Sequence, residues 1–576
     1  MMCAFSPLRQ LHAPDEIIGH GTVPGALAAP ACARVPLAQG HERQTPGSGQ
    51  DAESGRARRG LSRLAGSRTP STSAAGTTMP ASADACMHAR TQRTRWPSLR
   101  FVDARCASLF FLFSSRNPMT KTESTAWHQD IAHVVHPYSN LDAHSTLGPT
   151  VIARGDGCYV YDEHGKRYIE GMSGLWCASL GFSEKRLVDA ATRQLNTLPY
   201  YHLFSHRSHP PGIALAQALT AVAPEGLNHV LFSSSGSEAN DAAVKLIWYY
   251  NNLLGRPQKK KIISRLHGYH GVTVASGSLT GLAHVHRDFD LPLPRVLHTD
   301  CPSHYHFGLP GESEPAFTQR ITDNLEQLIL EEGPETVAAF IAEPVSGAGG
   351  VIVPPAGYFE RVQAILKKYD ILFIVDEVIT GFGRTGRMFG CETYGLQPDM
   401  MTVAKGLSGA YQPISGLLLT DAIHDTLRAG SRKHGAFAHG LTYAAHPVAA
   451  AVALETLHIY RDRDIVGHVR EVAPYFLEKL DALAEHPLVG QVRGVGLIAA
   501  VEITADKAAR KPFEPTAGMG AWIQNRTMEY GVIVRTIAHC VALCPPLISE
   551  RQHIDELFGG LSRALDDALV HVRANK

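Results

Sequence analysis

Downstream of residue 150 the chain changes its hydrophobic rhythm several times, and each rhythm predicts a different element. Residues 151–162 alternate and break at Glu163-His164-Gly165, which predicts a β-hairpin; Tyr168-Ile169-Glu170 follows as a short strand. Residues 184–197 and 210–223 carry helical spacing. Val230-Leu231-Phe232 is a short apolar strand that runs into a Ser/Gly turn and then a helix around 242–248. Lys261-Ile262-Ile263-Ser264, Val337 to Ala342, Ile371 to Val375 and Met400 to Val403 are continuous apolar runs, with helical spacing over 357–369 between two of them. Uninterrupted apolar strands alternating with helices predict an α/β fold with a mostly parallel sheet. Further on, 463–485 and 555–573 read as amphipathic helices, with strands at 499–503, 531–535 and 541–547 between them, a smaller α+β unit.

In such sheets ligands collect at the carboxyl ends of the strands. Ser235, Tyr269, Glu343, Asp376 and Lys405 all fall at those ends. Each has a bland reading beside a chemical one. Ser235-Gly236-Ser237 opens a helix and offers backbone N–H groups and hydroxyls to an anion, best a phosphate; it could equally be N-capping by Ser237. Tyr269, between Gly268 and Gly271, is either a packed turn residue or a ring that lies over a planar ligand. Lys405 before Gly406 is either an exposed lysine or an amine at the mouth of the sheet. Trp176, in the loop Gly171 to Cys177, is core or pocket wall.

Taken together, a phosphate cradle, a flat aromatic, a buried carboxylate and a strand-end lysine fit pyridoxal 5′-phosphate. That cofactor needs its phosphate held, its ring stacked, its pyridine nitrogen kept protonated by a carboxylate and its aldehyde bound by an amine.

Two other patterns are decoys. Gly381-Phe382-Gly383-Arg384-Thr385-Gly386 has dinucleotide-loop spacing, but no helix pattern starts there. Cys301, His304 and His306, and His202, His206 and His209, lack a four-ligand zinc spacing, and with 30 histidines chance proximity is expected. No metal is expected.

Composition changes the picture mainly at the N-terminus. The chain has 576 residues and zero formal charge, which points to neither a nucleic-acid nor a membrane partner. Residues 1–118 hold 14 Arg, no Lys and seven acids, and are rich in small residues without periodicity. They read as a disordered leader, either an over-extended reading frame ahead of a start at Met119 or a targeting peptide. The apolar run 107–113 is too short to span a bilayer. Six cysteines beyond the leader show no paired spacing and read as reduced thiols, so a cytoplasmic location is expected.

The motifs Ser235 to Asn240, His267-Gly268-Tyr269-His270-Gly271, Ala342-Glu343-Pro344, Asp376-Glu377-Val378 with Gly381 to Gly386, and Ala404-Lys405-Gly406 jointly resemble the class III pyridoxal-phosphate aminotransferases, in particular the ω-aminotransferases. The resemblance spans about residues 140–570. It implies a fold-type-I transferase: a large domain over 186–445 with a mostly parallel seven-stranded sheet, and a small α+β domain built from both chain ends, 119–185 and 446–576. It implies that Lys405 bonds the cofactor and shuttles a proton, and that Asp376 pairs with the ring nitrogen. Tyr269 and Val378 would flank the ring, with Glu343 as a supporting hydrogen-bond acceptor. Gly236 and Ser237, with Ser235 beside them, would hold the phosphate, helped by Thr442 from a second subunit. Trp176 would line the substrate pocket and Arg535 bind a substrate carboxylate. Ala538-His539 departs from the family pattern after that arginine. Gly347 to Pro355 favours the pyruvate-using branch. The implied assembly is a homodimer with shared sites, or a tetramer built from it. The implied reaction moves an amino group from a primary amine or ω-amino acid to an α-keto acid, pyruvate being the expected acceptor. The rivals are a decarboxylase or aminomutase on the same fold and a non-catalytic cofactor-binding regulator.

Overall fold

The computed structural model describes residues 124–575. The leader, the 107–113 run and the start at Met119 lie outside the described residues. A short strap comes first, α1 (Thr125–His133) and α2 (Leu141–Leu147). The hairpin predicted at 151–162 is β1 (Ile152–Asp156) and β2 (Tyr159–Asp162), antiparallel, with β3 (Arg167–Glu170) on its far side. A single turn α3 (Ser173–Trp176) and the helices α4 (Lys185–Thr197) and α5 (Pro210–Val222) lead to β4 (Leu227–Ser233) and α6 (Gly236–Leu253).

The central sheet continues with β5 (Lys261–Arg265), β6 (Val296–Thr299), β7 (Val337–Ala342), β8 (Leu372–Asp376), β9 (Met400–Val403) and β10 (Ser415–Thr420). Its order is β4-β10-β9-β8-β7-β5-β6, seven strands, of which β10 alone runs against its neighbours. Every residue of β7 and β9 is buried, because helices cover both faces of the sheet centre. That explains their unbroken apolar runs.

The remaining strands are β11 (Val489–Val495), β12 (Ile498–Ile503), β13 (Val532–Ile533), β14 (Arg535–Ile537) and β15 (Cys540–Leu543). The stretch predicted as one strand at 531–535 is split. Val532 and Ile533 pair in parallel with Ile169 and Glu170, whereas Arg535 to Ile537 pair with β15 in a separate sheet. Pairing with β3 stitches the two chain ends together. On it we propose to keep the division into 186–445 and a small domain from 119–185 and 446–576, although the helix Pro447–Asp462 packs on α4 and α5. Among the described residues no helix is long and apolar enough to cross a membrane.

Candidate active site

One cavity of about 1140 Å³ opens at the carboxyl ends of β4, β5, β7, β8 and β9. Ser235, Gly236, Ser237, Tyr269, Glu343, Asp376, Val378, Lys405, Trp176 and Arg535 all line it. Parallel strands end on one side of a sheet, so residues far apart in sequence meet there.

The turn after β4 starts α6 at Gly236, six residues before the helix predicted at 242. Its cap is Ser235 rather than Ser237: Ser235 Oγ accepts from Glu238 N at 3.3 Å, and Glu238 Oε2 accepts from the N–H groups of Ser234 and Ser235 at 2.8 and 3.1 Å. The Ser235 hydroxyl is thus engaged in the cap. Gly236 and Ser237, in the helix's first turn, present N–H groups at the positive end of its dipole. The Ser237 hydroxyl accepts from Val272 N at 3.3 Å. A Cβ on Gly236 would lie 3.1 Å from Val378 Cγ2, so glycine keeps the cradle open. Gly271 has φ +131°, and a Cβ there would meet Ser237 Oγ at 2.5 Å.

Asp376 ends β8 with only 3% of its surface exposed. Its Oδ2 accepts from Asn240 Nδ2 and faces His270 Nδ1, both at 2.9 Å, and its Oδ1 accepts from Val378 N at 3.1 Å. Burial by itself pushes this carboxyl up; the His270 ring and the Asn240 amide outweigh burial and hold it below the usual carboxylate range. Glu377 points the other way, as strand alternation requires, and accepts from Thr380 Oγ1, Cys391 N and Gly390 N at 2.6, 2.6 and 3.0 Å. Burial raises its pKa, and that of Glu343. Glu343 accepts from Tyr269 N at 3.0 Å and Gly347 N at 2.9 Å, so it ties the aromatic loop to the loop after β7. The three neighbouring carboxyls are thus pushed in opposite directions: burial raises Glu343 and Glu377, while its hydrogen-bond partners hold Asp376 down.

Lys405 sits two residues past β9 with φ +47°, a left-handed backbone that costs a non-glycine residue on the order of 1 kcal/mol or more. Burial lowers its pKa, against the pull of Asp376. A less basic amine has a larger neutral, nucleophilic fraction. Burial and the neighbouring Tyr138 side chain push the Tyr269 phenol up, so it stays a neutral ring. Trp176 satisfies both of its readings: it is 3% exposed, packs with Met172, Val345 and Ile379, and walls the cavity. Arg535 also lines the cavity and forms no salt bridge among the described residues.

Thr442 is the exception. It is exposed and does not line the cavity; its carbonyl accepts from the Tyr200 hydroxyl at 2.9 Å. Sequence reasoning missed three residues. Asn240 and His270 both reach the Asp376 carboxylate; their signal was position, one helical turn past the cradle and next to Tyr269. Tyr138 enters the cavity from the strap, and no local pattern marks it.

The turn at Gly381 to Gly386 starts no helix; Phe382 N and Gly383 N both donate to Met388 O, closing a loop of its own. The six described cysteines are free thiols.

A family model described as Aminotransferase class-III matches residues 140–565. The chain is 53% identical over 426 residues to the chloroplastic γ-aminobutyrate transaminase 3 of Solanum lycopersicum, covering 74% of this chain and 82% of that protein. It is 49% identical over 453 residues to the mitochondrial γ-aminobutyrate transaminase 1 of Oryza sativa subsp. japonica, covering 78% and 87%. Among solved structures, the ω-transaminase from Pseudomonas jessenii in complex with PMP superposes with a TM-score of 0.77 at 52% identity, covering 78% of this chain and 99% of that one. These relatives correct the expected cytoplasmic location, since they are named for the chloroplast and the mitochondrion. Free thiols could not have decided it: they persist in any reducing compartment, and a folded core carries no address.

Proposed function

Because the chain belongs to the class III aminotransferases, which use pyridoxal 5′-phosphate to pass an amino group to a keto acid, we propose that its donor is an ω-amino acid or related primary amine and its acceptor pyruvate. The chain is an enzyme, a transferase, and pyridoxal 5′-phosphate is its cofactor.

The residues present fit that group. A helix N-terminus with a glycine-held cradle suits its phosphate, and an anionic, hydrogen-bonded Asp376 suits its ring nitrogen. When bound, pyridoxal phosphate supplies an aldehyde that exchanges amino groups and a ring that accepts the electron pair left at the donor carbon. In this proposal Gly236 and Ser237 bind the phosphate, and Ser235 shapes the turn that presents them. Tyr269 and Val378 hold the ring from its two faces, and Glu343 fixes Tyr269 through its backbone N–H. Asp376 keeps the proton on the ring nitrogen. Lys405 Nζ would hold the cofactor's aldehyde carbon between turnovers and would move the proton from the donor's amine-bearing carbon during them. Trp176 limits the size of the donor.

The observation that carries the donor class is Arg535, a cation without a carboxylate partner in the cavity that holds Lys405. A substrate carboxylate at the far end of an ω-amino acid meets it by a charge-assisted hydrogen bond. Relatives named γ-aminobutyrate transaminases and neighbours named ω-transaminases support the same class. The test is alanine formation from pyruvate with γ-aminobutyrate and with an amine that lacks a carboxylate. Arg535→Leu is expected to raise KM for γ-aminobutyrate about 10- to 100-fold, the range for a lost charged hydrogen bond. At saturating pyruvate, whose own carboxylate can also meet Arg535, KM for the plain amine should be unaffected. An equal rise in both donors' KM under that condition refutes the role of Arg535, and glutamate formed from 2-oxoglutarate in place of alanine refutes pyruvate.

Thr442 supports a homodimer. It lies outside the cavity of its own chain, next to Tyr443, which is 63% exposed, and the same surface carries Tyr200 and Phe204. Exposed aromatics of this kind mark interaction surfaces. In a dimer Thr442 of the partner subunit would complete the phosphate site. Light scattering on the active enzyme decides this: full activity at the mass of one chain would exclude it.

A further inference from the structure

The strap of α1 and α2 has no core of its own. Neither helix buries a residue, and at nine and seven residues both are shorter than the ~12–15 needed for even marginal stability in isolation. Ser124 and Asn140 cap them. Yet the turn between them, Pro137-Tyr138-Ser139, lines the cavity, with Tyr138 in a left-handed conformation at φ +53° and edge-on to His284. Something must hold that turn in place.

Three side chains from both sides of the turn converge. Asp130 Oδ1 lies 2.7 Å from His136 Nε2 and 3.1 Å from His144 Nε2. The two rings are 4.0 Å apart between centroids and tilted by 31°, so both Nε2 atoms face one point. All three donor atoms lie within 4.8 Å of one another, and all three residues are half-buried. Two imidazoles and a carboxylate are the donor set of a zinc-class ion, with water in the fourth position. Tetrahedral zinc at 2.0–2.1 Å spaces its donors about 3.3 Å apart, so to admit the ion the Asp130–His136 contact would open by about 0.6 Å and the Asp130–His144 contact by about 0.2 Å. None of the histidine clusters visible in the sequence pattern contains this set, because residues 130, 136 and 144 have no recognisable ligand spacing.

We propose that Asp130, His136 and His144 bind a zinc-class divalent cation that staples α1 to α2 and fixes Tyr138 at the edge of the cavity. The bland alternative is a metal-free hydrogen-bonded knot of the same residues.

The experiment uses the untagged full-length holoenzyme, stripped with a chelator and dialysed against zinc with a weak competing chelator. About one zinc per chain is expected to remain. It should be lost in His144→Gln and in Asp130→Asn, and retained in the surface control His164→Gln. Magnesium should not replace it. Chymotryptic cleavage at Tyr138 should slow at least tenfold on adding zinc to wild type and not respond in His144→Gln. The holoenzyme's cofactor absorbance reports that each variant is folded. Zinc content unchanged in both ligand variants, or no zinc retained by wild type, overturns the site; bound zinc without slower cleavage overturns the staple.

Discussion

At the buried end of the cavity Asp376 leaves β8 inside the sheet, with Asn240, His270 and the Val378 N–H around its carboxylate. At the open end Tyr138 and Arg535 ride on a strap and a three-residue strand. The buried end is set by β8 between the fully buried β7 and β9, so its atoms cannot shift without disturbing the core. The open end buries little and tolerates change. On the proposed roles the difference divides the labour: the sheet would hold the parts that amino-group transfer needs, and the loops would select which amine enters.

That contrast can be tested, starting at the buried end. Lys405→Ala is expected to keep a cooperative melt while turnover falls by at least about 10³-fold, because no other amine lines the cavity among the described residues. Near-normal alanine production would refute the assignment. Asp376→Asn removes the anion proposed to keep the ring nitrogen protonated, with an expected loss in kcat of about 10²- to 10⁴-fold and little change in KM. An equal loss in His164→Gln, in the exposed turn between β2 and β3 and outside the cavity, would show that the assay reads general damage. Asn240→Ala removes one of the hydrogen bonds to Asp376, worth about 1.5–3 kcal/mol to a charged group, so kcat should fall about tenfold or more. An unchanged kcat would mean that His270 alone positions the carboxylate.

The smallest effect concerns the seam between the two regions. Glu170, at the end of β3, is buried and accepts from Met172 N at 2.9 Å, holding the loop that carries Trp176. Burial pushes its carboxyl up to about 7 from 4.5, against the lowering effect of the Met172 and Gly174 N–H groups. With the folded pKa raised, its contribution to stability is complete below pH 4.5 and is lost as pH rises towards about 7. Melting temperature should therefore decline over that window, and Glu170→Gln should flatten the decline. An unaltered slope in the variant would assign the pH dependence elsewhere.

The cofactor end of the site was legible because its residues sit at the ends of apolar strands, where period and punctuation are strong. Ser235, Tyr269, Glu343, Asp376 and Lys405 could be found by reading where each run stops. Tyr138, Asn240 and His270 could not. Asn240 is one polar residue among several on a helix, and only the packing of α6 on the sheet, against β9 and β10, aims it at Asp376. The cap shows the same limit: Ser237 and Ser235 are equally good capping residues on paper, and the chain's path out of β4 chose Ser235.

Strand composition, turn chemistry and the order of apolar runs are properties of neighbouring residues, so the sequence by itself determined an α/β sheet and its reactive end, and the class of reaction followed from the family its motifs resemble. Which side chains meet across the sheet, which carboxyl stays charged, and the split of the 531–535 strand between two sheets depend on contacts hundreds of residues apart. Those were decided only by the tertiary structure, because burial and hydrogen-bond partners, not residue type, set the free energy of each group there.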